Sequence, residues 1–369
     1  MNTYRADRVI TGAQDITDGW VAIDAGRIVG VGQGNAPAGP VERIEGWLIP
    51  GFVDIHVHGG GNASFSTGDA PTVAAFHRSH GTTTMLGSLV SETLEDLRRQ
   101  ITSLRPHVDA GVIAGIHLEG PFLAEGRKGA HNAAVLRAPA SRDIAVLLEA
   151  AQGTIRMVTL APELLEATQA IDMFTRAGVL VALGHTEADA ATARRAVEAG
   201  ARVVTHLFNG MPPLHHRHPG LADVGLLDER LTCELILDTH HLSDEITRIA
   251  IELLDDRYIA ITDAMAAAGA PDGRFMLGTL AVEARDGIVR VIDGGSLAGS
   301  TLTMDRAFLN LVERFGRTPL DAVRATATRP ADLLGRSDIG RLEPGARANL
   351  LTWTSTGLGR VMQDGHWIH

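Results

Sequence analysis

The sequence predicts a (β/α)₈ barrel, of the TIM type, joined to a small β domain built from both ends of the chain. Three observations predict it. From Gly51 onward, short apolar runs alternate with longer Ala- and charge-rich amphipathic stretches, as repeated βα units do. Both ends instead read as short strands between Gly, Asp and Pro, with no helical period. Histidines and acids recur just after several separate apolar runs. A barrel gathers such positions at one face, which a doubly wound sheet explains less well.

The elements follow in order. The first fifty residues contain "DRVI", "GWVAI", "GRIVGVG" and "VERIEGWLIP", each alternating apolar and polar residues. Barrel strands are expected near 52–57, 82–89, 112–118, 155–160, 179–183, 202–206, 231–237 and 258–262. Helices are expected near 94–104, 140–151, 163–177, 188–199 and 244–254. A strand-rich insertion with Gly turns follows near 273–299, then helices near 304–315 and 319–328. The tail returns to strands and turns. The expected domains are 1–50 plus 335–369 for the small β domain, a β-sandwich, and 51–334 for the barrel with its insertion.

Composition narrows the function. The chain has 369 residues, 45% hydrophobic and 21% charged, with a formal net charge of −11. That balance argues against a nucleic-acid partner or an anionic membrane surface. No stretch approaches the roughly 20 apolar residues of a membrane span. The N-terminus has no basic segment followed by an apolar run, so no secretory leader is expected. The single cysteine, Cys233, excludes an intrachain disulfide and allows a reducing compartment. It sits in an apolar strand and is expected to pack in the core. Lys128 is the only lysine, and no Gly-rich loop ends in Lys-Ser/Thr, so a P-loop is excluded.

The chemistry is expected where strands end. Strand one ends in "DIHVH" with His56 and His58, and strand three in "HLEGPF" with His117 and Glu119. Strand five is followed by His185, strand six by His206 and strand eight by Asp263. Residues at i and i+2 leave a strand on the same side. One lone His after a strand is ordinarily a hydrogen-bonded structural residue. Several after different strands, with two acids, point to a metal site, because buried polar groups cost free energy unless paired. Nitrogen and oxygen donors without thiolate suit Zn²⁺ first, with Fe, Mn and Co as alternatives. Such a metal lowers the pKa of water and polarises a carbonyl. Asp263, apart from the other donors in sequence, is the expected general base. The loop "HHRHPG", residues 215–220, supplies local positive charge, and an Arg there suits a phosphate.

These residues resemble the amidohydrolase superfamily. "PGFVDIHVH" is similar to its first-strand metal motif, and "GRIVGVG" with "RLEPGARANLL" to the small domain its members build from both chain ends. Members that bridge two metals with a carboxylated lysine on strand four are disfavoured, since no lysine stands there. Within the superfamily, "HLEGPF", "KGAHN", "GHTEA", "THLFNGMPPLHHRHPG", "ITDAMAAAG" and "LAGSTLTM" resemble, in order, the blocks of the N-acetylglucosamine-6-phosphate deacetylases. The resemblance spans nearly the whole chain. It implies cytoplasmic, metal-dependent hydrolysis of an amino-sugar acetamide, with one or two divalent cations per subunit. It implies Glu119, His185 and His206 as metal ligands, with His56 and His58 completing a second site bridged by Glu119. It implies Asp263 as catalytic acid–base and His131 as the group meeting the scissile amide. Asn209 and Gly210 would contact the sugar phosphate. Arg217 and His241 would bind phosphate across the interface of a homodimer. N-acetylgalactosamine 6-phosphate and N-acyl amino acids are the rival substrates. The sequence departs from the family at Thr239, where glycine is usual.

Overall fold

The structure, a computed structural model, describes residues 1–368. Contacts divide the chain into two compact units. One comprises Met1–Asp54, Ala75–Thr84 and Thr303–His369, the last of these residues lying outside the described set. The other comprises Ile55–Ala74 and Met85–Leu302. The sequence reading drew its boundaries at 50/51 and 334/335. By contacts, the helical residues from Thr303 group with the chain ends.

The first unit carries a seven-stranded sheet made from both termini. In chain order its strands are Asn2–Ile10, Asp15–Asp24, Arg27–Gln33, Val41–Pro50, Leu350–Thr354, Gly357–Gln363 and His366–Trp367. Asn2–Ile10 pairs parallel with Val41–Pro50, which pairs antiparallel with Leu350–Thr354, so the two chain ends join at that seam. The expected sandwich thus takes the form of one hydrogen-bonded sheet. Period-two alternation buries Tyr4, Ala6, Val21, Ile23, Leu48 and Leu350 in one cluster. The helices expected at 304–315 and 319–328 begin as α-helix at Met304–Leu309 and Pro319–Val323. They then widen into π turns at Asn310–Arg314 and Arg324–Thr328.

The barrel lies mainly in the second unit. Its strands are Phe52–Val57, Thr82–Leu89, Gly115–Glu119, Ile155–Leu160, Leu180–Leu183, Val203–Val204, Thr232–Ile236 and Tyr258–Ile261. They follow one another around the sheet in chain order. The first and last are drawn together by the His58 N–H donating to the Ala264 carbonyl at 2.8 Å and the Asp263 N–H to the His56 carbonyl at 2.8 Å. Eight parallel strands therefore nearly close. Every helix expected from amphipathic period is present: Leu94–Asp109, Ser141–Ala151, Ala167–Arg176, Ala190–Ala199 and Asp244–Leu254. Three begin at the polar caps that satisfy free N–H groups, with Thr93, Asp189 and Ser243 side chains accepting from Asp96, Thr192 and Ile246. Two helices, Ala70–Ser79 and Leu221–Leu227, were not legible. Leu221–Leu227 has only seven residues and carries Gly in its middle. The insertion is a three-stranded antiparallel sheet, Gly273–Leu277, Leu280–Arg285 and Ile288–Val291, seated on a cluster with Val90, Met265 and Ala298.

Candidate active site

The donors stand where the barrel strands stop. His56 lies in the first strand and His58 just beyond it, and Glu119 is the last residue of the third strand. His185, His206 and Asp263 each stand two residues after a strand end. All three have left-handed backbone, with φ of +48°, +26° and +49°. A non-glycine residue rarely adopts that conformation without compensation. Here the turn is what aims each side chain into the mouth instead of continuing the strand. It also explains why the sixth strand, expected through His206, stops at Val204.

Their side-chain atoms converge. Glu119 Oε1 lies 3.1 Å from His185 Nε2 and 3.0 Å from His206 Nε2, and those two nitrogens are 3.1 Å apart. Glu119 Oε2 lies 3.2 Å from His58 Nε2. His56 Nε2 is 3.2 Å from His58 Nε2, and Asp263 Oδ1 is 3.4 and 3.2 Å from the two. Two donor groups result, His56 with His58, Glu119 and Asp263, and Glu119 with His131 and His185; His206 adjoins the second. Asp263, apart from the other donors in sequence, thus stands among them in space. The closed sheet brings the eighth strand beside the first.

The outer nitrogens of two rings are already committed. His185 Nδ1 donates to the Arg127 carbonyl at 2.8 Å, and His56 Nδ1 to Glu234 Oε2 at 3.0 Å. Their Nε2 lone pairs then face other acceptors at hydrogen-bond distance. Lone pairs crowded together with the outer N–H groups anchored are the arrangement a divalent cation satisfies. The donor set fits such a cation. Without one, charge has to be balanced by protons. Burial alone would push the His56 and His58 imidazoles down, but the surrounding carboxylates outweigh it and hold both up, His56 well above its ordinary value. Burial likewise pushes the Glu119 carboxyl up, and the His56 and His131 rings overcome it and hold it well below.

Two histidines are set differently. His117 touches only hydroxyls, Ser88 Oγ and Thr159 Oγ1, each at 2.9 Å, and burial holds it well below its ordinary value. It is a packing residue beneath His56, with the ring centres 4.5 Å apart. His131 Nδ1 accepts the Ser91 N–H at 3.2 Å. That fixes the proton of the neutral ring on Nε2, which lies 3.4 Å from Glu119 Oε2. Burial lowers this ring to about 4, so at neutral pH it is an uncharged donor.

A cavity of about 300 Å³ opens over the donors. His58, His131, His185, His206, Glu119 and Asp263 line it, with Asn209, Gly210 and His241. Val90, Ile236, Leu277 and Leu297 give it an apolar side. Gly210 has φ +63°, and a Cβ there would stand 2.9 Å from His185 Nδ1. Gly299, at φ +62°, passes equally close to the Asp263 carbonyl, where a Cβ would stand 2.8 Å away.

His241 lines the cavity of its own chain. Its Nδ1 lies 2.7 Å from Asp238 Oδ2. Burial opposes its charge, but the Asp238 carboxylate holds it above its ordinary value. Thr239 sits at φ +69°, the conformation in which the family's glycine would be unstrained. Asp238 Oδ1 accepts the His240 and His241 N–H groups, both at 2.9 Å, and this holds the loop despite the β-branched residue. Arg217 is not in the cavity. It is exposed, with a guanidinium nitrogen 2.6 Å from His216 Nε2. Sequence reasoning missed Glu234 and Ser91. Glu234 announces itself only as one acid inside the apolar run "LTCELIL". Ser91 contributes through its backbone, which no side-chain pattern reveals.

Comparison with known proteins agrees with this fold. The model of the amidohydrolase family matches residues 47–367. The crystal structure of N-acetyl-D-glucosamine-6-phosphate deacetylase from Mycobacterium smegmatis is similar at 40% identity and a TM-score of 0.97, with 100% of each chain covered. A mutant of that protein in complex with N-acetyl-D-glucosamine-6-phosphate is 41% identical with a TM-score of 0.96, covering 99% of this chain and 98% of that one. N-acetylgalactosamine-6-phosphate deacetylase of Escherichia coli O157:H7 is 36% identical over 363 residues, 96% of this chain and 95% of that protein.

Proposed function

The chain belongs to the amidohydrolase family, and from that premise we propose that it hydrolyses the acetamide of N-acetylglucosamine 6-phosphate to glucosamine 6-phosphate and acetate. The observation that carries the reading is the one cavity where an acid, a fixed neutral imidazole N–H and a set of facing donors meet.

Glu119, His185 and His206 would hold one divalent cation, and His56 and His58, with Glu119 shared, a second; we propose Zn²⁺, with Fe, Mn or Co able to serve. When bound, such a cation lowers the pKa of water and polarises a carbonyl. The chain's residues do the rest. The Asp263 carboxylate, held below its ordinary pKa because His56 and His58 outweigh its burial, is ionised and takes a proton from the attacking water. As the water oxygen bonds to the carbonyl carbon, His131 Nε2–H donates to the carbonyl oxygen, which gains negative charge. Asp263 then delivers its proton to the amide nitrogen. The C–N bond breaks, leaving acetate and the free amine. His241, whose positive charge the Asp238 carboxylate favours, and the Asn209–Gly210 turn hold the phosphate end, so that binding energy orients the amide.

Arg217 is proposed to complete the phosphate grip of a second subunit in a homodimer, since it stands exposed and outside its own cavity. We propose the cytoplasm as the site of the reaction, on the family resemblance. Among the described residues no helix is long and apolar enough to cross a membrane. The sole thiol, Cys233, is buried and pushed up to about 12 by that burial, which keeps it inert.

The test is acetate release from N-acetylglucosamine 6-phosphate, its unphosphorylated analogue and N-acetylgalactosamine 6-phosphate, by protein of measured metal content. Strong preference for the first, lost on chelation and restored by a divalent cation, is expected. Preference for the galacto ester would move the assignment to the activity of the Escherichia coli relative. Release from none of the three by metal-loaded protein would overturn the reading.

A further inference from the structure

Glu234 is a buried acid of the barrel that the hydrolysis leaves unused. It lies inside the seventh strand, Thr232–Ile236, and its side chain is fully buried. It touches neither the cavity nor the substrate side. Oε2 receives both of its hydrogen bonds, from His56 Nδ1 at 3.0 Å and from the His206 backbone N–H at 3.2 Å. Oε1 has no hydrogen-bond partner among the described residues. An amide oxygen could accept the same two bonds without the desolvation cost of a buried anion. The charge thus exceeds what those two hydrogen bonds require.

The two bonds reach different halves of the donor set. His56 belongs with His58 and Asp263, while His206 faces His185. The bond to His56 keeps its proton on Nδ1 and its Nε2 lone pair inward. The bond to His206 pins the backbone at the φ +26° turn that aims its ring. One carboxylate oxygen thus sets both halves. Glu119, Asp263 and Glu234 together bring three negative charges into a site whose walls are at most 7% exposed at these residues. One divalent cation leaves that sum at −1. Two leave it at +1, facing the substrate oxygen that becomes negative.

We propose that Glu234 is a positioning residue that fixes His56 and His206 together and supplies the third negative charge needed for two divalent cations. The inference rests on the metal-dependent reading above. Its test compares wild type with Glu234→Gln, which keeps shape and acceptor but removes charge. Metal per chain is counted after dialysis, Zn²⁺ affinity is measured against a chromophoric chelator, and melts are run metal-free and loaded. The Co²⁺-loaded forms are compared by visible absorption. Expected are two cations in wild type and fewer in the variant. Affinity for the more weakly held ion should fall tenfold or more, the range typical when a ligand's outer hydrogen-bond partner is altered. The Co²⁺ bands should change. The rise in Tm on adding metal should shrink in the variant. Stoichiometry and affinity within twofold of wild type would overturn the proposal. So would a metal-free variant that melts lower while binding metal normally, which is a purely structural role. Wild type that binds no divalent cation overturns this proposal and the metal reading together. Wild type that binds two but releases no acetate overturns only the substrate, and the comparison of the two proteins still decides the role of Glu234.

Discussion

Acid–base pairs on the terminal sheet and at the barrel mouth have similar separations and opposite meanings. On the sheet, Arg43 lies 2.6 Å from Asp7 and 2.8 Å from Asp18, with all three side chains about half exposed. At the mouth, Glu119 lies 3.0 and 3.1 Å from His206 and His185, all of them nearly dry. Water screens the first set, so what each sheet pair contributes is small. Nothing screens the second, so every proton or cation there changes the state of all the others. Equal distances do not make equal interactions; the dielectric around them decides.

The sharpest way to break this contrast is at Asp263. Asp263→Asn keeps the shape and removes the proton acceptor, and acetate release should fall by about 10²–10⁴-fold. Metal analysis should show the ion at Glu119, His185 and His206 still bound. Near-full turnover at neutral pH would remove Asp263 from the chemistry.

An intermediate effect is expected at the phosphate grip. The Asp238 hydrogen bond raises His241, so its positive charge is present below that raised pKa and lost as pH rises through it. KM for the phosphorylated substrate should therefore climb as pH rises through that raised pKa, while KM for the unphosphorylated analogue stays flat. Arg217→Ala should raise only the former, by about tenfold or more, as expected for loss of a charge-assisted contact. Parallel changes for both substrates would take these two residues out of phosphate recognition.

The smallest effect belongs to the sheet. Arg5 and Arg43 together draw the Asp18 carboxyl from its ordinary 3.8 down to about 2. Its contribution is present above the unfolded value and is lost as pH falls from there through 2. Arg43→Ala should leave acetate release untouched and shift the Tm slightly, with the shift vanishing in molar salt. A clear change in turnover would show that the sheet's charges reach the chemistry.

The readable and unreadable parts of the chain divide along a physical line. Strand and helix periods are local, so the eight barrel strands and five of their helices could be placed from neighbouring residues alone. The donors that end strands, His56, His58, Glu119, His185, His206 and Asp263, were legible for the same reason. A short apolar run stops, and a polar residue follows. The helix at Leu221–Leu227 escaped because seven residues hold barely two turns of pattern.

What the sequence by itself determined is therefore the barrel, the end-built sheet, the donor inventory and the absence of a bridging lysine. Only the tertiary structure decided how those donors are tuned. It placed Asp263 against His56, 207 positions away in the chain, because the sheet nearly closes. It seated His241 in its own cavity, left Arg217 outside, and locked the His131 proton through the amide of Ser91. It set Glu234, one acid in an apolar strand, behind two donors 178 and 28 residues distant. Such contacts depend on which strands become neighbours around the barrel, and no window of local sequence carries that information.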